Sequence, residues 1–181
     1  MTQTDPTLSR LILEMATIAG EYCSFIENAS AHPQEDIIRS MRSLVPLLYL
    51  RGTLIPELEP EYPEANERYV TEEQWDGIFT MLRALFSDKD EFYYAGLSEY
   101  EEPILLKGSL SEHLTDVYQD MKDFVLLFKK ASLASRENAV HECRRMFYEN
   151  WGSKLANVLP VLHTLYQPEI VNKNNEEETI W

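Results

Sequence analysis

Apolar residues recur along most of this chain at steps of three and four, the spacing that gathers them on one helical face, and sustained alternation of period two is nearly absent. The pattern predicts an all-α protein. Its first helix starts at Asp5 as N-cap with Pro6 in the first helical position, and its stripe is Leu8, Leu11, Ile12, Met15, Ile18, Ala19, Tyr22, Phe25 and Ile26. The second begins near Pro33, with Glu35 and Asp36 in its first turn, and continues through Ile37, Met41, Leu44 and Leu48. Pro46 falls inside it, removes a backbone donor and crowds the carbonyl four residues back, so a kink is expected there.

Pro56, Pro60 and Pro63, interleaved with Glu57, Glu59, Glu61 and Glu64, predict an extended, solvated connection. Thr71 and Gln74 have capping-box spacing and open a third helix over 72–86. Residues 88–103 are expected to be irregular, and the rings of Phe92, Tyr93, Tyr94 and Tyr100 there must pack on something. Ser109 with Glu112 repeats the capping-box spacing. The fourth helix then turns Leu110, Leu114, Val117, Met121, Phe124, Val125 and Phe128 toward the core. The last helix runs from near Ser135 to about Leu165, and the polar tail 167–181 is expected to fray. No long repeat is present, which argues against a solenoid. The expectation is a single-domain bundle of five to six helices over 5–166, with the aromatic-rich irregular segment between the third and fourth long helices.

A length of 181 residues suits one domain. Cys23 and Cys143 are isolated from each other, which fits buried thiols in a reducing cytosol better than a disulfide framework. The first residues lack the basic start of a signal peptide. The longest apolar run, Leu44 to Leu50, is far short of the ~20 residues a spanning helix needs. A cytoplasmic location with no membrane partner follows as an expectation. The net charge of −15 repels phosphate backbones and anionic lipid, so nucleic acid is not an expected partner, while a basic protein is permitted.

The six glycines match neither phosphate-cradling pattern, and H-E-x-x-H, Glu-x-x-His and G-x-S-x-G are all missing. Neither a cofactor nor a metal is expected. His32 reads as a surface or capping residue, and His163 as a helix C-terminal cation.

One polar constellation remains. Along the last helix Val140, Phe147, Trp151, Leu155, Val158, Leu162 and Leu165 form a stripe, and Arg144 falls inside it. A guanidinium cannot shed its proton, and burying it unpaired costs several kcal/mol, so an acidic partner should meet it. On the fourth helix His113, Asp116 and Asp120 stand at i, i+3 and i+7, which makes Asp116 and Asp120 the natural partners. Tyr118 and Lys122, on the opposite flank, are placed to close the network. Two readings stand: a buried ion pair that sets helix register, or the floor of a cleft that binds an anion or orients an aspartate as a base. His113 with the two aspartates also forms a possible facial ligand set, of a kind helical flanks carry by chance. Trp151, followed by Gly152, reads as a core ring at a close helix crossing. Trp75 reads as an anchor. Residues 57–76 hold eight acids against Arg68 alone, which fits a solvated loop better than a duplex-mimicking face.

The stretch Ser109-Leu-Ser-Glu-His-Leu-Thr-Asp116-Val-Tyr118-Gln-Asp120-Met-Lys122, followed by Arg144, Phe147 and Trp151-Gly152, resembles an uncharacterised bacterial family, domain of unknown function 5063. Asp90, Tyr93, Tyr94 and Glu102-Pro103 are similar too, and the resemblance spans roughly residues 8 to 165. Family members usually read His-Trp-Gly where this chain has Asn150-Trp151-Gly152, and Trp-x-Trp-Arg where it has His141-Glu-Cys143-Arg144. The resemblance implies a small helical fold and no established reaction. The function expected is therefore a protein-interaction or small-ligand-binding module. The alternatives are an enzyme with a polar cleft around Arg144, Asp116, Asp120 and Tyr118, or an acidic surface that competes for a basic partner.

Overall fold

The computed structural model describes residues 5–166; the tail expected at 167–181 lies outside the described residues. The helices are α1 (Arg10–Glu27), α2 (Gln34–Thr53), α3 (Glu72–Phe86), α4 (Leu110–Phe128), α5 (Leu133–Met146) and α6 (Gly152–Leu165), and the strands are β1 (Glu91–Leu97) and β2 (Pro103–Ser109). A π-helical turn, Phe147–Trp151, joins α5 directly to α6. The protein is thus mostly helical, but not purely so.

The starts follow the local chemistry, with small shifts. Thr71 and Gln74 make the reciprocal capping box that opens α3, and the Ser109 hydroxyl accepts the Glu112 amide to open α4. Asp5 caps a short 3-10 turn, Pro6–Leu8, and α1 itself begins after Ser9. Leu8 and Leu11 accordingly leave the expected stripe and are 52% and 41% exposed. Ser132, rather than Ser135, caps α5, accepting the Ser135 amide at 3.0 Å. Pro46 does not end α2, which continues to Thr53.

The segment expected to be irregular is an antiparallel hairpin in which Tyr93 faces Lys107, Ala95 faces Leu105 and Leu97 faces Pro103. Its alternation is short and inward on one face only: Phe92 is buried and Tyr94 half-buried, while Tyr93, Ala95 and Leu97 point out. The two inward rings meet the His113 ring edge-on, with centroids 5.3 and 5.7 Å away. A methyl on Gly108 would stand 2.9 Å from the Phe92 ring, so glycine lets these rings close over β2. Asp90 ties the hairpin to α4: it accepts the Ser109 hydroxyl and the Ser111 amide, each at 2.7 Å.

The central rod is α4, which packs against α1, α3, α5 and α6 and is buried on most sides. Tyr22 from α1 reaches it through a fully buried hydroxyl that donates to the Leu114 carbonyl at 2.8 Å. The acidic connection 57–70 is laid across α5. Asn138 Nδ2 donates to the Tyr62 carbonyl at 2.8 Å, and His141 Nδ1 lies 3.1 Å from the Leu58 carbonyl.

On the far side α2 meets α6 and the π-helical turn. Trp151 is fully buried, donates Nε1 to the Cys143 carbonyl at 3.1 Å and contacts Phe147 edge-on. Both rings press on Gly52 of α2, where an added Cβ would lie within 2.6 Å of the Phe147 ring. Gly52→Ala should therefore overpack this crossing and cost about 1–3 kcal/mol. Urea denaturation checks it; an unchanged midpoint would mean the rings have room to withdraw.

Candidate functional site

Asp116, Asp120 and Asp123 stand at i, i+4 and i+7 on α4, so one stripe of the central helix is acidic. Each carboxylate is answered from a different element. Asp116 accepts the Trp75 indole Nε1 of α3 at 2.8 Å and pairs with Lys154 Nζ of α6. Asp120 accepts Asn150 Nδ2, from the π-helical turn, at 2.7 Å. Asp123 Oδ1 accepts the amides of Tyr69 and Val70, at 2.7 and 2.9 Å, just ahead of the α3 cap. Its Oδ2 is buried and has no partner. An orphaned buried acceptor costs about 1–3 kcal/mol, and more when charged.

Beside Asp120 and Asp123 a cavity of about 20 Å3 lies between α4, α5 and the 66–68 segment. Glu142 and Arg68 border it, 3.6 Å apart, and Cys143 contributes a buried thiol. Burial pushes that thiol's pKa well above its ordinary range, which keeps it protonated and unreactive. Burial also raises Asp120, against the opposing hydrogen bond from Asn150, to about 6.

The structure does not bring Arg144 to these aspartates. Its side chain is one-third exposed, lies 3.8 Å from Glu57 in the connection and sits over the Tyr148 ring at 5.4 Å. The expectation failed through helical phase. Phe147 and Trp151 belong to a π turn, whose i→i+5 bonding inserts a residue. The inward face of α5 is instead Ala139, Val140 and Cys143, and Arg144 stands one step beyond it.

Tyr118 and Lys122 close a different network, both donating to Glu27 Oε1 of α1, at 2.8 and 2.5 Å. His113 turns away to the hairpin rings, and burial lowers its pKa, which favours a neutral imidazole. It therefore joins no ligand set with Asp116 and Asp120. Among the described residues no three His, Cys, Asp or Glu side chains are placed to hold a metal ion. Trp151 is fully enclosed and lines no opening.

The sequence reading missed Asp123, Asn150, Lys154 and the bond from Trp75. Asp123 was within reach, because it extends the Asp116–Asp120 spacing by one more step. Lys154 and Asn150 were hidden by the same phase shift that displaced Arg144.

A family model described as a domain of unknown function (DUF5063) matches residues 6–167. The chain belongs to this family. A solved structure, protein BF1032 from Bacteroides fragilis, is similar to this DUF5063 chain at 30% sequence identity with a TM-score of 0.78; the match covers 91% of this chain and 98% of that one. No curated protein matches this DUF5063 chain. No helix among the described residues is long and apolar enough to cross a membrane.

The raised Asp120 makes a signed prediction. Its folded-state pKa of about 6 exceeds the ordinary 3.8, so the folded protein holds that proton longer. This contribution is complete below pH 3.8 and is lost as pH rises to about 6, amounting to roughly 3 kcal/mol. Asp120→Asn, whose amide oxygen can still accept from Asn150, should match the wild type near pH 4 and be more stable at pH 7. Parallel urea curves across this range provide the measurement, and a stability difference that does not vary with pH would remove the assignment.

Proposed function

We propose that this protein is an interaction module that takes a basic, extended segment of a partner protein alongside its β-hairpin. The observation that carries the reading is the hairpin's outer face, where Tyr93, Leu97 and Leu105 are 65%, 65% and 72% exposed. Tyr100 at the tip is 84% exposed. Side chains of this kind gathered on one face are uncommon on a surface with no partner. The sheet has only two strands among the described residues, so its outer edges carry backbone groups with no further strand to pair with. Strand addition uses both features at once, with main-chain hydrogen bonds for affinity and alternate side chains for selectivity.

Charge argues for a basic occupant. Glu91, Glu99, Glu101 and Glu102 lie on the strands and tip, against Lys107, which already pairs with Glu91 at 2.9 Å. A second copy is disfavoured because each would bring a net charge of −15. The cytoplasmic setting that goes with this reading draws support from Cys23 and Cys143, which are free and buried. An enzymatic cleft around Arg144 receives no such support, since Arg144 stands apart from Asp116, Asp120 and Tyr118.

An eight-residue peptide alternating valine and lysine, titrated into isotopically labelled protein, should shift backbone amide resonances in 91–97 and 103–109. A valine–glutamate peptide should not, and Leu105→Lys should abolish the response without changing the circular dichroism. If the valine–lysine peptide leaves the hairpin amides in place, the reading is rejected.

A further inference from the structure

At the other end of α4 from the hairpin, Asp123 poses a separate chemical question. It is 8% exposed, its Oδ1 is committed to two backbone amides, and its buried Oδ2 has no partner. Asp123 borders the cavity of about 20 Å3, together with Asp120, itself 8% exposed, and Glu142. That volume matches one water-sized group. Phe124, Leu127, Ala139 and Met146 make the inner wall apolar, and Asn66 and Glu67 of the connection complete the rim. Arg68 is the cation of this rim, but it is half exposed and approaches Glu142 at 3.6 Å rather than entering between the aspartates.

We propose that this cavity binds a primary ammonium group on an aliphatic stem, with Asp123 Oδ2 and Asp120 as its acceptors. The source is either a free alkylamine or a lysine side chain. An ammonium head has three donors and no acceptor, so it suits the unpartnered Oδ2 of Asp123 beside the Asp120 carboxylate. Its charge-assisted hydrogen bonds are shorter and stronger than those of water. The space holds the ammonium head alone, so the methylenes that follow it lie outside, across the cavity's mouth. A guanidinium is planar and much larger than one water, and calcium needs six to eight oxygens at 2.3–2.6 Å, which the described residues do not assemble.

The surroundings make the binding depend on pH. Asp120 faces Asp123 on its own helix, Arg68 from the connection, Asn150 from the π-helical turn and Lys154 from α6, while Glu142 and Cys143 of α5 line the same cavity. Its burial favours the proton, and an entering cation must displace that proton. Affinity should therefore rise between pH 5 and pH 7.

The inference does not rest on the hairpin reading, and its test uses different ligands and different resonances. n-Butylammonium, 1,4-diaminobutane and Nα-acetyl-lysine N-methylamide are titrated into the full labelled chain at pH 7.5. Saturable shifts are expected at 66–70, 120–124 and 139–143, weakened roughly tenfold or more in Asp123→Asn, whose Oδ1 still serves the two amides. A tighter diamine identifies a free amine as the source, a tighter lysine derivative identifies a partner's side chain, and equal affinities assign the ammonium head alone. Tetramethylammonium, which has no N–H, should not compete. If Asp123→Asn does not fold, Asp120→Asn is read in the same titration. The proposal is overturned by an absence of saturation with every amine, by equal binding of tetramethylammonium, or by undiminished binding to a folded variant.

Discussion

Three carboxylates on one buried helix must each find a donor, and the rest of the molecule is arranged around that demand. Asp116 draws in the α3 indole and the α6 ammonium, Asp120 draws in the π-helical turn, and Asp123 holds the backbone that leads into α3. Apolar contact alone would let α3 and α6 slide along α4, since burial is nearly indifferent to register. Directional bonds at one-turn intervals are not indifferent, and a slip by one residue would strand a buried acceptor. The acidic stripe therefore sets the order and height of the helices, while Leu114, Val117 and Met121, fully buried on the same helix, supply the bulk of the attraction.

The π-helical turn serves the same demand. One inserted residue at Phe147–Trp151 rotates α6 relative to α5, so that Asn150 and Lys154 reach α4 while Trp151 stays in the core. A strict α-helix through this point would keep the phase that the apolar stripe implies and would carry Arg144 inward. The actual phase leaves Arg144 beside Glu57, one-third exposed, with its guanidinium reaching the connection while Nε stays buried without a partner. Gly52 on α2 completes the accommodation by leaving room for the two rings the turn projects.

These features explain what was legible in advance. Helix starts were readable because caps are local: Thr71 with Gln74 and Ser109 with Glu112 need only the chain's own next turn. The stripe of α4 was readable because the helix is straight in register and apolar at the expected steps. The hairpin was not, because its inward face is short, only Phe92 and Tyr94 alternate clearly, and the outward positions are also apolar, which erases a period of two. The Arg144 network was misplaced because periodicity presumes a constant turn, and nothing in the residues 147–151 signals an insertion. Asp116 and Asp120 were singled out as partners for Arg144, whereas Trp75, Lys154 and Asn150, from segments whose phase or conformation was not predictable, are the groups that meet them.

The hairpin and the cavity use the two ends of α4 differently, and the difference follows from how tightly each end is satisfied. At the N-terminal end Asp90 meets the Ser109 hydroxyl and the Ser111 amide, so its carboxylate is spent on fixing the hairpin, while the buried, unpartnered Nδ1 of His113 lies under the hairpin rings. What remains exposed is apolar surface and strand edge, which suits a chain of a partner. At the C-terminal end the two amides on one oxygen of Asp123 hold the carboxylate in place, so its second oxygen cannot turn toward solvent. A group fixed in that way can be answered only by something that comes to it. A donor small enough for the space is the chemistry that such a fixed, buried oxygen selects.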